Sequence, residues 1–215
     1  MTAPISLRAR LGLNAAPLFL RLFLAACFLY AGITKITNSF PVAPEQLPTL
    51  AAIGLAPDPA NPPKTIRAVH GLSIMLHAAS RPTPDAQDRT PMPLWPKALG
   101  TGPWPARFAW AVALTEISGG AFILLGLLTR LAALEIAGVM LGAAWLTQFG
   151  PAIQSGKTTL GFLPAHDTFD AANWATFWLQ LACLAMSLAL ALLGPGRLSV
   201  DHALFTPPRH DDDDE

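Results

Sequence analysis

The sequence predicts an all-α membrane protein, a bundle of four transmembrane helices carrying a long proline-rich extracytoplasmic loop. Three observations predict it. The 215 residues are 52% hydrophobic and only 13% charged, about half the charge of an ordinary soluble domain. Four apolar runs, at about 15–36, 108–128, 131–149 and 172–193, have the length of a bilayer crossing. Between the first two runs, residues 38–107 hold 14 of the 21 prolines, which excludes them from helix interiors. Residues 1–205 form a single membrane domain on this reading, and 206–215 a disordered acidic tail. The net charge is zero and no basic stripe is present, so no nucleic-acid partner is expected.

Run one follows Arg8 and Arg10 and is broken by Arg21 and Lys35. Leu24-Ala25-Ala26-Cys27 resembles a lipoprotein cleavage box, but Arg21 interrupts the apolar core and hydrophobicity continues past Cys27, so the run reads as an uncleaved span. Within 38–107 the proline-free stretch 64–80 has Ile66, Val69, Leu72 and Leu76 at helical spacing. It predicts one short amphipathic helix on the bilayer surface, with loop on both sides. Run two has Glu116 as its only ionisable residue, and Thr129-Arg130 reads as the tight reversal into run three, whose only charge is Glu135. Run four is uncharged and stops at Gly194-Pro195-Gly196. Four spans put both termini on one side. The arginines flanking that side (Arg8, Arg10, Arg130 and Arg197) make it cytoplasmic by the positive-inside rule. All six tryptophans fall towards the other side, as an interfacial belt.

A charge inside a span is a functional-site hypothesis by default. Arg21 and Lys35 share a face of run one and stand about 21 Å apart along it. By depth they pair as Arg21 with Glu135 and Lys35 with Glu116. The alternatives are pairs that only hold helices in register, or a polar site that binds a head group, a quinone or an anion, or relays protons. Gly32, Gly119 and Gly120 mark close helix approach, as do Gly138 and Gly142 in GxxxG spacing. Cys27 and Cys183 fall at comparable depth and read as small apolar residues. His70 and His77 lack a third ligand, so no metal is expected.

The ordered set Arg21, Phe28, Gly32, Lys35, then Glu116, Gly119, Gly120, Gly126, Thr129, Arg130, then Gly196, Arg197, Ser199, Asp201 resembles the DoxX family of bacterial membrane proteins. The resemblance implies a multi-pass protein of the bacterial cytoplasmic (inner) membrane and an accessory or quinone-interacting subunit of a membrane redox or oxidative-stress system. It also implies another redox subunit as partner and a quinone as the cofactor to test. The loop 38–107 is longer and richer in proline than the family's usual connection. No CxxC, haem, flavin or phosphate-loop fingerprint is present, so the sequence carries no complete catalytic set. The other classes left open are a small-molecule or proton transporter and a membrane scaffold. The scaffold would hold partners through the loop and the Arg197-Ser199-Asp201 segment, with its internal charges inert.

Overall fold

The computed structural model describes residues 7–205 other than 57, 59, 85–87 and 168, with side chains from Asn14 onward. The acidic tail 206–215 therefore lies outside the described residues. Helix α1 (Leu7–Thr37) carries the first span, Asn14–Thr37. The others follow as Trp104–Leu125, Thr129–Ser155 and Ala171–Leu193, each long and apolar enough to cross a membrane. The third runs past its expected end at 149. After α5 (Thr129–Ala144) the coil widens into a π-helix at Trp145–Phe149 and resumes as a short helix, Gly150–Ser155.

The spans close a ring. With α4 as Trp104–Leu125 and α7 as Ala171–Leu193, α1 packs on α4, α4 on α5, α5 on α7, and α7 back on α1. Inside lie Leu24, Phe28, Ile123, Ala133, Ile136, Cys183 and Leu190, all buried. Outward-facing side chains remain apolar, among them Phe19, Leu134, Leu141 and Leu192. A helix that is apolar all round suits a core on one side and hydrocarbon on the other. The turn between α4 and α5 is made by Gly126 to Leu128. Gly126 is left-handed (φ +71°), and Leu127 N–H bonds the Phe122 carbonyl at 2.9 Å. Thr129 and Arg130, expected as the reversal, already belong to α5.

The segment 38–107 is more ordered than the expected loop. Strand β1 (Ser39–Pro41) leaves α1 directly and pairs antiparallel with β2 (Thr65–Arg67). A helix α2 (Leu47–Ala52) closes a small core of Leu50, Ile53, Ala56 and Ile66 over that ribbon. The expected helix over 64–80 is α3 (Val69–Ser80), because its first residues are drawn into the ribbon. It does not lie free on a surface. Val69, fully buried, packs with Leu72 against Ala109, Trp110 and Ala113 of α4. The following segment returns across the bundle. Leu94 N–H donates to the Ala79 carbonyl at 2.8 Å, and the Leu94 carbonyl accepts from Trp145 Nε1–H at 3.0 Å.

Candidate functional site

Glu116 reaches mid-span on α4 with its side chain 4% exposed, and the Lys35 ammonium bonds both its carboxylate oxygens. The side chain of Lys35 is 31% exposed, so one partner is partly open and the other is enclosed. This pair joins α1 to α4 as their depths predict.

The second expected pair does not form. Arg21 is 3% exposed, but its donors go to main-chain carbonyls. Nε donates to Ile123 (2.8 Å), Nη2 to Leu124 (2.7 Å), and Nη1 to Pro195 (3.1 Å) and Leu198. A helix C-terminus leaves its last carbonyls without intrahelical partners, and it attracts cations. Arg21 meets that need for α4 and ties in the 195–198 segment. Glu135 faces outward on α5 and is exposed.

The residues after run four belong to the same knot. Leu128 holds the N-cap position of α5 but has no oxygen to offer the first amides. The Asp201 carboxylate supplies two, accepting from Leu128 N–H at 2.7 Å and Thr129 N–H at 2.9 Å. Ser199 accepts from His202 N–H at 3.1 Å and so starts the final helix, α8 (Val200–Phe205). A Cβ at Gly126 would stand 2.5 Å from Ser199 Cβ and 2.7 Å from Arg21 Cζ. These side chains fasten the chain's own end. Arg197 remains exposed.

The glycines divide. A Cβ at Gly32 would meet Ile117 at 2.6 Å, one at Gly120 would meet Leu29 at 3.1 Å, and one at Gly119 would meet Ile136 at 3.0 Å. These three allow α1 and α5 to approach α4. Gly138 and Gly142 have nothing within 4 Å of an added Cβ. Within the chain that face of α5 is covered by no neighbouring atom and borders open space.

The open space is a cavity of about 710 Å³ between α4, α5 and α3. Among the described residues its ionisable lining groups are Lys35, Glu116 and Glu135. Apolar and small residues make the rest, notably Leu72 and Met75 from α3, Phe108 and Val112 from α4, and Gly138 and Gly142 from α5. Trp95 closes the loop side, edge-on to Phe108 at 5.2 Å between ring centres. Its buried indole N–H has no partner among the described residues. A mostly apolar pocket of this size with a few convergent polar groups is the ordinary form of a small-molecule site. Among the described residues no cluster of metal-ligating side chains stands near it.

Compared with known families, residues 16–148 match the DoxX family model, well over half of the chain. The chain belongs to the DoxX family. It is an integral membrane protein of that family, and the match includes the 38–107 segment, the second span and most of the first and third. No curated protein and no solved structure matches the chain. In this DoxX-family chain the groove wall built from α3 and Trp95 was invisible to sequence reasoning, since no periodicity links 69–80 or 95 to α5. The one available signal was an aromatic, Trp95, in an otherwise proline-rich stretch. Other tryptophans also make ring contacts within the protein. Trp110 lies edge-on to His70 at 6.4 Å, and Trp174 stacks on Trp178 at 6.1 Å. His70 is pushed below its ordinary pKa, first by burial and then by the nearby Arg67.

Proposed function

We propose that the groove binds a lipid-soluble ring compound of quinone type, and that the chain is the quinone-interacting subunit of a membrane redox system. The observation that carries the reading is an apolar groove whose ionisable groups, among the described residues, are Lys35, Glu116 and Glu135. A quinone needs a flat apolar slot for its ring, which Leu72, Met75, Phe108 and Val112 supply. Its carbonyl oxygens need a donor, and the Lys35 ammonium is one. Reduction to the quinol takes two electrons and two protons. Glu116 and Glu135 stand on opposite walls as proton carriers, and a partner redox subunit supplies the electrons. Glu135, exposed on the open side, gives the groove contact with the surroundings. Arg21 takes no part, because its donors are engaged at the other end of α4. In the inner membrane, the α4–α5 turn and both termini face the cytoplasm on this reading, and the groove opens in the outer half.

The test is calorimetric titration of the chain in nanodiscs with a short-chain benzoquinone. Wild type binds saturably. Gly142→Leu grows a side chain into the groove from a position where a Cβ meets nothing within 4 Å, and lowers affinity about tenfold or more with the thermal midpoint little changed. Equal binding by this variant removes the groove from the reading, and no saturable binding by wild type removes the quinone.

A further inference from the structure

At the opposite end of the bundle from the groove, a second cavity of about 680 Å³ opens between the start of the α1 span at Asn14, the first turn of α5, the 195–197 turn and α8. Two guanidiniums line it, Arg130 and Arg197. Arg130 lies over the turn that follows α7, where a Cβ at Gly194 would come within 3.3 Å of its Nε and Nη2. Among the described residues neither arginine has a carboxylate within ion-pair distance. The one carboxylate in the lining, Asp201, is held by the amides of Leu128 and Thr129. Thr129, fully buried in the lining, keeps a hydroxyl without a partner among the described residues.

Guanidinium forks match phosphate oxygens in geometry and charge. The rim is apolar: Leu131 is 55% exposed and Phe205 71%. A free phosphate has no use for such a rim, whereas a phospholipid brings a phosphate and acyl chains together. The cavity also sits at the ends of the candidate spans, beside Asn14 and Thr129. Basic pockets between helix ends hold anionic head groups in this way.

We propose that this cavity is a binding site for an anionic phospholipid, its phosphate held between Arg130 and Arg197 and its chains lying along Leu131 and Phe205. The site is separate from the groove, so its failure leaves the quinone reading untouched.

Native mass spectrometry of the full chain, released from neutral detergent, tests it with phosphatidylglycerol, phosphatidylcholine and inorganic phosphate as probes. Phosphatidylglycerol binds more tightly than phosphatidylcholine, and the double variant R130Q/R197Q loses roughly thirtyfold in affinity for it, about fivefold per arginine. R130K/R197K keeps part of the preference, because it retains the charge but not the fork. If the double variant does not assemble, R197Q alone carries the test, since Arg197 is exposed. Equal binding of the two lipids, or wild-type affinity in the glutamine variants, overturns the proposal. Competition by inorganic phosphate at the same occupancy assigns the site to free phosphate and overturns it as well. So does phosphatidylglycerol binding seen only after truncation beyond Phe205, which would make the acidic 206–215 segment the occupant.

Discussion

Lys35 and Glu116 form an ion pair whose halves differ in exposure, and that difference predicts unequal costs of breaking it. Removing one member of a buried pair leaves the other desolvated and uncompensated, at about 3–5 kcal/mol. That applies in full to Glu116, whose side chain is 4% exposed. Lys35, at 31%, can swing its ammonium towards water. Lys35→Met is therefore expected to destabilise by about 3 kcal/mol or more, and Glu116→Gln by about half of that or less. Unfolding in mixed micelles measures both, and the reverse order would show that Lys35 rather than Glu116 is the trapped charge. Glu116 was legible in the sequence as the sole charge of its run. Arg21 was legible only as an intramembrane charge. Its partners are carbonyls, and any residue carries one, so no sequence pattern singles out Ile123, Leu124 or Pro195 as the acceptors.

At the scale of elements, α4 is the axis of the bundle. It touches α1 through Gly32 and Gly120, α5 through Gly119, and α3 through Ala109 and Ala113. All of these are small. An added methyl at Gly32 meets both Ile117 and the Ala113 carbonyl, so Gly32→Ala forces α1 away from α4. Overpacking of this kind costs roughly 1–3 kcal/mol. Gly138→Ala meets open space and gains helix propensity, up to about 1 kcal/mol. Opposite signs are expected for the two alanines when their thermal midpoints are compared, and equal loss would place a packing partner on Gly138. In the sequence the two kinds of glycine look alike, and the GxxxG pair even looked the stronger. Spacing reports which residues share a helix face, but it does not report whether a neighbour covers that face.

At the scale of the whole molecule, the 38–107 segment is a small ribbon-and-helix unit docked on the bundle, and α3 is both its contact and a wall of the groove. Docking buries His70 against Trp110 with Arg67 nearby, and both effects disfavour the charged imidazole. An imidazole whose pKa is lowered in the docked state contributes stability that is complete above its free value near 6.5. That contribution begins to be lost as pH falls below this value and is gone once pH has fallen through the lowered pKa of the docked state. The protection of α3 amides from hydrogen exchange should therefore fall below about pH 6.5, after correction for the intrinsic rate. His70→Phe should flatten the profile. A profile unchanged by that substitution would sever His70 from the docking equilibrium.

Four spans, their order, the uncharged fourth helix and the family all followed from the sequence, because bilayer thickness sets helix length and hydrocarbon excludes charge. The Lys35–Glu116 pair followed too, since depth along a straight helix is simple arithmetic. The helical part of the proline-rich segment was readable from its periodicity. Its β1–β2 ribbon was not, because each strand is only three residues long. Tertiary structure alone decided that Arg21 binds the end of α4 rather than Glu135, that Asp201 caps α5 from 72 residues away, and that α3 and Trp95 meet α5 around an open groove. The reason is common to all three. A main-chain carbonyl, a main-chain amide and an empty volume leave no mark on residue type, and which side chain reaches them depends on how the helices are placed.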